Sequence, residues 1–200
     1  MIPEAFDSLL TGTLGTRLCW QKAHRCPCTD EYGQSDRECP ICTGRGRYWD
    51  TPSDEFRAGV VGLTGRALES MQLRFGPGVT GDGTISLPST SPAYADVGEG
   101  DRFSNLDAFD TLEWTLAKGT LVLLPVGADI VGAYIRSSGQ LHAVPPPVPS
   151  DDRVSVAVTT VITMLAPRRY EVVKAIPQTR NWVPGLPKKV LVQMLDLSTR

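Results

Sequence analysis

Five cysteines are the residues in this chain best suited to chemistry, and all of them lie between Cys19 and Cys42. Scattered structural thiols would spread along the chain, so a cluster this tight points to a bound metal before disulfides. The text is C-W-x5-C-P-C-x10-C-P-I-C-T-G-R-G. Two residues between Cys39 and Cys42 let both thiolates reach one tetrahedral ion across a tight turn, and Gly44 lets backbone N–H groups turn toward the sulfurs. Cys26 and Cys28, at i and i+2 of an extended segment, lie on the same side and can share that ion. The expected ligand set is Cys26, Cys28, Cys39 and Cys42; a second set replaces Cys26 or Cys28 with Cys19 or His24. Zinc is the metal these donors suit best, and a closed site of this kind leaves no place for a water nucleophile, so the metal is structural. Disulfides, an iron–sulfur cluster and unliganded thiols are the competing readings. Cys19 reads most simply as a buried hydrophobe beside Trp20. Trp20 and Trp49 are expected as a cover over the metal site.

The elements that position this site follow from the rest of the pattern. Residues 1–16 read as an N-terminal arm with a helical turn at Ala5–Leu10. Residues 17–50 form the cysteine-rich zinc-binding subdomain, too short to build a core of its own. Residues 51–58 connect it to a β-rich body that runs to residue 200. Apolar residues make up 41% of the 200-residue chain and charged ones 21%, and 19 Gly with 16 Pro favour many turns and short strands. Strands are expected near Val60–Leu63, at Ile85–Leu87 and from Arg102. Leu112–Leu116 with Leu121–Val126, and Ile130–Arg136 with Gln140–Val144, read as hairpins. Residues 145–149, with four prolines, are a stiff link. Arg153–Leu165, Tyr170–Ile176 and Lys189–Leu197 follow as strands, the last a candidate for edge pairing with another chain. Residues 64–75 fit helix or strand, 76–83 a glycine turn and 181–187 a loop around Trp182. The fold class is mainly β: a sandwich or barrel body with a small N-terminal zinc-binding subdomain.

Composition also limits function. The formal net charge is -2, which is not the footprint of a protein that coats DNA or an acidic membrane. No apolar run is long enough for a membrane span, and the first residues carry no secretory signal, so synthesis in a cytosol-like compartment is expected. Arg17, Lys22, Arg25, Arg45 and Arg47 with Trp20, Tyr48 and Trp49 invite a nucleic-acid reading. Residues 1–50 nevertheless hold six Lys/Arg against seven Asp/Glu, and Asp30, Glu31, Asp36 and Glu38 would repel phosphates, so this reading is not favoured. No nucleophile elbow, phosphate loop, zincin motif or dinucleotide fingerprint is present, and the chain does not read as an enzyme. Asp96, Glu99, Asp101, Asp107 and Asp110 read as turn formers and solvated loop faces, in preference to a calcium site. His142 reads as a strand-end residue.

The segment CPICTGRGRYW shares the C-x-x-C-x-G-x-G turn of DnaJ-type chaperones, once where those have four repeats, and this is a common zinc-turn solution without kinship. The layout C-W-x5-C-P-C followed by C-P-I-C-T-G-R-G-R-Y-W, then Y-A-D-V-G-E-G-D-R-F in a β region, resembles small virion proteins of tailed bacteriophages. Size and β content are most similar to a neck component, a head-closure or head–tail connector protein. The resemblance implies a homo-oligomeric ring between portal and tail, contacts with portal, connector or tail proteins, residence in the virion after synthesis in the host cytoplasm, and no enzymatic activity. A baseplate or tail-tip protein is the second form of this reading, and a zinc-containing nucleic-acid-binding protein the third.

Overall fold

The structure is a computed structural model that describes residues 3–12, 14–62, 82–125, 127–137, 139–150, 153–175 and 188–195. The expectations for 64–75, for 76–81 of the glycine turn and for the loop 181–187 lie outside these residues. The fold is mainly β, and of the two expected architectures it is the barrel, closed by six strands. Among the described residues no helix is long and apolar enough to cross a membrane.

The described residues of 1–104 and 169–194 form one compact unit and those of 105–168, with Leu195, a second. The elements, in chain order, are α1 (Pro3–Thr11), β1 (Thr16–Gln21), β2 (Ala23–Arg25), β3 (Arg47–Trp49), β4 (Phe56–Gly62), β5 (Gly83–Leu87) and β6 (Arg102–Leu116). They continue with β7 (Val122–Leu123), β8 (Asp129–Ser137), β9 (Gln140–Val144), β10 (Arg153–Val154), β11 (Thr160–Ala175) and β12 (Lys188–Met194). Around the barrel the order is β1-β4-β5-β12-β11-β6, returning to β1.

Its interior is built by strands rich in branched side chains, which a pleated, half-buried surface favours. Leu18, Ile85, Leu87, Phe103, Val190 and Val192 are wholly buried there. Val190 and Val60 both lie opposite Ile85, and Val192 lies opposite Val172. Helix α1 packs on β4: a Cβ on Gly59 would stand 2.8 Å from Leu10 Cδ2, so a larger residue there would make the Leu10 side chain shift. Asp7 Oδ2 accepts the backbone N–H of Ser89 at 3.0 Å and also its hydroxyl.

The second unit has its own core of Leu112, Trp114, Leu116, Val122, Leu124, Val154, Ile162 and Met164. The period-two burial of Leu112, Trp114 and Leu116 against exposed Glu113 and Thr115 marks one face of a strand. The expected β8–β9 hairpin is present, with Ser137 opposite Gln140 and Gly139 at φ +80°.

Four local expectations change. The Leu112–Leu116 strand does not pair with the residues after it: β7 pairs with β10, Val122 opposite Val154, and Gly119 N–H donates to Val156 O at 2.9 Å. Pro125 lacks the donor a longer ladder would use. Arg153–Leu165 is broken, with β10 at its start and β11 running on through Tyr170. Pro167 fits inside β11 because the registers with β8 end at Leu165 and those with β12 begin at Tyr170, so neither needs its N–H. Finally, β12 is hydrogen-bonded on both sides, to β5 and β11, so the last strand offers no edge to another chain.

Candidate metal centre

Strands β2 and β3 form a two-stranded ribbon with Ala23 opposite Trp49, His24 opposite Tyr48 and Arg25 opposite Arg47. The two cysteine turns lie between them in sequence, and the ribbon brings them together. The backbone closes the gap: Cys26 N–H donates to Gly46 O at 2.9 Å, Thr43 N–H to Cys39 O at 2.8 Å and Arg45 N–H to Cys42 O at 3.0 Å. The second turn needs positive φ at Thr43 (50°), Gly44 (83°) and Gly46 (71°). At Gly44 a side chain would also press on the backbone of Arg37, with a Cβ 3.3 Å from its Cα.

The sulfurs of Cys26, Cys28, Cys39 and Cys42 all lie within 4.8 Å of one another. Cys26 Sγ is 3.7 Å from Cys39 Sγ, and Cys28 Sγ is 3.4 Å from Cys42 Sγ. A tetrahedral ion with metal–sulfur bonds of about 2.3 Å separates its sulfurs by about 3.8 Å, so the donor set fits one ion. All five cysteines are free of disulfides. The first-choice set is therefore the one brought together. Cys19 is half-buried on β1, outside the cluster, and burial with the nearby Glu55 and Asp54 charges raises its pKa. His24 Nε2 is 2.7 Å from Asp50 Oδ2, and its ring stacks on Tyr48 at 5.3 Å.

Backbone dipoles prepare the sulfurs for a cation. N–H groups of Cys42 and Ile41 point at Cys39 and bring its thiol down to about 7, against the effect of burial. Burial raises Cys42, but the Cys28 thiol and the N–H groups of Gly46 and Gly44 outweigh it and the net shift is downward. Cys28 is pushed up to about 12 by burial and by the neighbouring thiols.

The tryptophans do not cover the sulfurs; the aromatic packed against them is Tyr48. Trp49, on the ribbon, and Trp20, on β1, instead both reach the loop before β6. Trp20 Nε1 donates to Asp101 Oδ2 at 3.0 Å and Trp49 Nε1 to Gly100 O at 2.9 Å. Asp101 is fully buried and also accepts the N–H groups of Ala23 and Gly98, at 2.9 Å each, with Lys22 Nζ at 3.4 Å. Of the acidic residues in that stretch, Asp101 is thus a structural hub. The run D-V-G-E-G-D, with Gly100 at φ +84°, was its sequence signal, since such a turn aims N–H groups inward. No protein-family model matches the chain, and no curated protein matches its sequence.

Proposed function

We propose that this chain is a structural component of a tailed-bacteriophage virion, a ring-forming neck protein that joins head to tail, stapled by one zinc ion on Cys26, Cys28, Cys39 and Cys42. The observation that carries the structural reading is the closed set of four thiolates. Four protein donors fill a tetrahedral zinc ion, and such sites fold a segment rather than activate water. A rigid closed barrel with a stapled ribbon is the build of an assembly part. The neck assignment rests on the resemblance of the cysteine segment and of Y-A-D-V-G-E-G-D-R-F to virion proteins, and its partners are the portal, connector or tail proteins.

Elemental analysis of the purified chain tests the metal: one zinc per chain is expected, and iron with sulfide in its place would replace the staple with a cluster. Electron cryo-microscopy of the assembled particle tests the position. A symmetric ring of this chain between portal and tail is expected; density at the baseplate or tail tip would move the assignment there, and a lone copy without symmetric neighbours would end the ring reading.

A further inference from the structure

We infer that the arginine-rich face beside the cysteine ribbon docks the acidic cysteine loop of a second copy of this chain, head to tail. This rests on the ring-forming reading above and specifies the contact that builds the ring. Four guanidinium groups, of Arg45, Arg47, Arg102 and Arg169, share one region, in which Arg102 pairs with Glu171 and the exposed Glu99 is the residue before Gly100. Arg102 lies over the Trp49 ring at 3.4 Å and donates Nε and Nη2 to Glu171 Oε2 at 3.3 Å each. Arg47 Nη1 covers Gly100, where an added Cβ would stand 2.0 Å away. The charge of Arg45 bears on Arg102, and that of Arg102 on Arg169.

Most of this charge is uncompensated. Arg45 and Arg47 are exposed and have no ion pair among the described residues. Arg169 keeps Nε and Nη2 buried without any hydrogen-bond partner. Arg169 thus adds positive charge from beneath the face and leaves its own nitrogens closed to a second chain. Burial and the Arg102 charge hold Arg169 down to about 10.

The complementary surface is on the same chain. The loop between Cys28 and Cys39 exposes Asp30, Glu31, Asp36 and Glu38 against Arg37 within it and Arg25, whose Nη2 donates to the Thr29 and Asp30 carbonyls, an excess of two negative charges. Asp30 Oδ1 and Asp36 Oδ1 are used on turn amides, of Tyr32 and Gln34 and of Glu38 respectively; Glu31 and Glu38 have no ion pair among the described residues. Two opposite patches that leave each other unpaired within one molecule can pair between molecules. Where the two patches of one copy meet two different neighbours the contact is heterologous and can close a ring; where they meet a single neighbour it stops at a dimer. A nucleic-acid strand fits less well: Arg102 already occupies Trp49, removing that stacking surface, and the loop carboxylates repel a polyanion.

The test is charge reversal in the full-length, metal-loaded protein, read by sedimentation velocity. The wild type should self-associate beyond a dimer, whereas a species that stops at a dimer overturns the head-to-tail contact, and raising salt from about 0.05 M to about 0.5 M should weaken association on the order of tenfold or more. Arg45→Glu with Arg47→Glu, and separately Glu31→Lys with Glu38→Lys, should each abolish it. A 1:1 mixture of the two variants should restore it, because every reversed patch then meets a reversed partner. Metal content verifies folding; where a reversal loses metal, the Gln substitutions take its place with weakening expected. A wild type that stays monomeric overturns this contact and counts against the ring. Assembly that persists in both variants overturns the contact and leaves the ring standing. A labelled oligonucleotide bound through Arg45 and Arg47, with self-association unchanged in the variants, assigns the face to nucleic acid and also overturns it.

Discussion

The barrel and the cysteine ribbon solve the same folding problem by different physics. The barrel buries Leu18, Ile85, Leu87, Phe103, Val190 and Val192 completely, and apolar burial of this kind is non-directional and spread over many side chains. The ribbon and its loop expose their own large apolar groups, Tyr32 at 82% and Ile41 at 58%, and what they bury is sulfur, on Cys26, Cys39 and Cys42. A region without an apolar interior has to draw its order from a few directional bonds. The barrel should therefore lose stability in increments as side chains are trimmed, whereas the ribbon should lose its order all at once.

The largest effect follows from removing the staple. Cys39→Ser with Cys42→Ser, or chelation of the wild type, should abolish metal binding and release amide protection across residues 26–46 together. Amides of β5 and β12 should stay protected, as hydrogen exchange can show. If the ribbon amides stayed protected in the double variant, the two regions would not differ in the way argued. The next effect lies in the barrel: Phe103→Ala removes a fully buried ring that meets Phe56 edge-on at 6.4 Å. It should cost about 3–5 kcal/mol in denaturant unfolding while leaving metal stoichiometry at the wild-type value.

The same contrast explains what could be read from the sequence. The clustering of Cys26, Cys28, Cys39 and Cys42 was legible because the residue types and spacing that a metal site needs are local, and i, i+2 and i, i+3 pairs carry that geometry with them. The strands β5, β8, β9 and β12 were legible from alternation and bounding turns. The partner of each strand was not. Leu121–Val126 has the turn of a hairpin before it, yet β7 pairs with β10, because pairing is decided by which residues share a core, here Val122 with Val154. Closure by β12 was equally hidden, since a last strand has the same pattern at an edge or inside a barrel. The roles of Trp20 and Trp49 were misjudged because their indole N–H groups needed acceptors, and Asp101 and Gly100, about 80 and 50 residues away in sequence, supplied them.

Asp101 gives the smallest effect and the sharpest test of the contrast, because it serves both regions. Its oxygens take the N–H of Ala23 at the start of the ribbon, the N–H of Gly98 and the Trp20 indole, which packs on the barrel core. Asp101→Asn keeps the volume and one acceptor oxygen but places an amide N–H₂ against donors. Roughly 1–3 kcal/mol should be lost. That loss should fall unevenly: the barrel, held by many side chains, should keep its cooperative melt with a lowered midpoint. The cysteine turns should keep the metal stoichiometry of the wild type. The joint between them should loosen, with faster exchange at the Ala23 and Gly98 amides. Equal loosening of the amides of Cys26 and Thr43 would mean that the ribbon depends on its anchor as much as on its sulfurs, and the division between directional and diffuse stabilisation would then have to be drawn inside the ribbon itself.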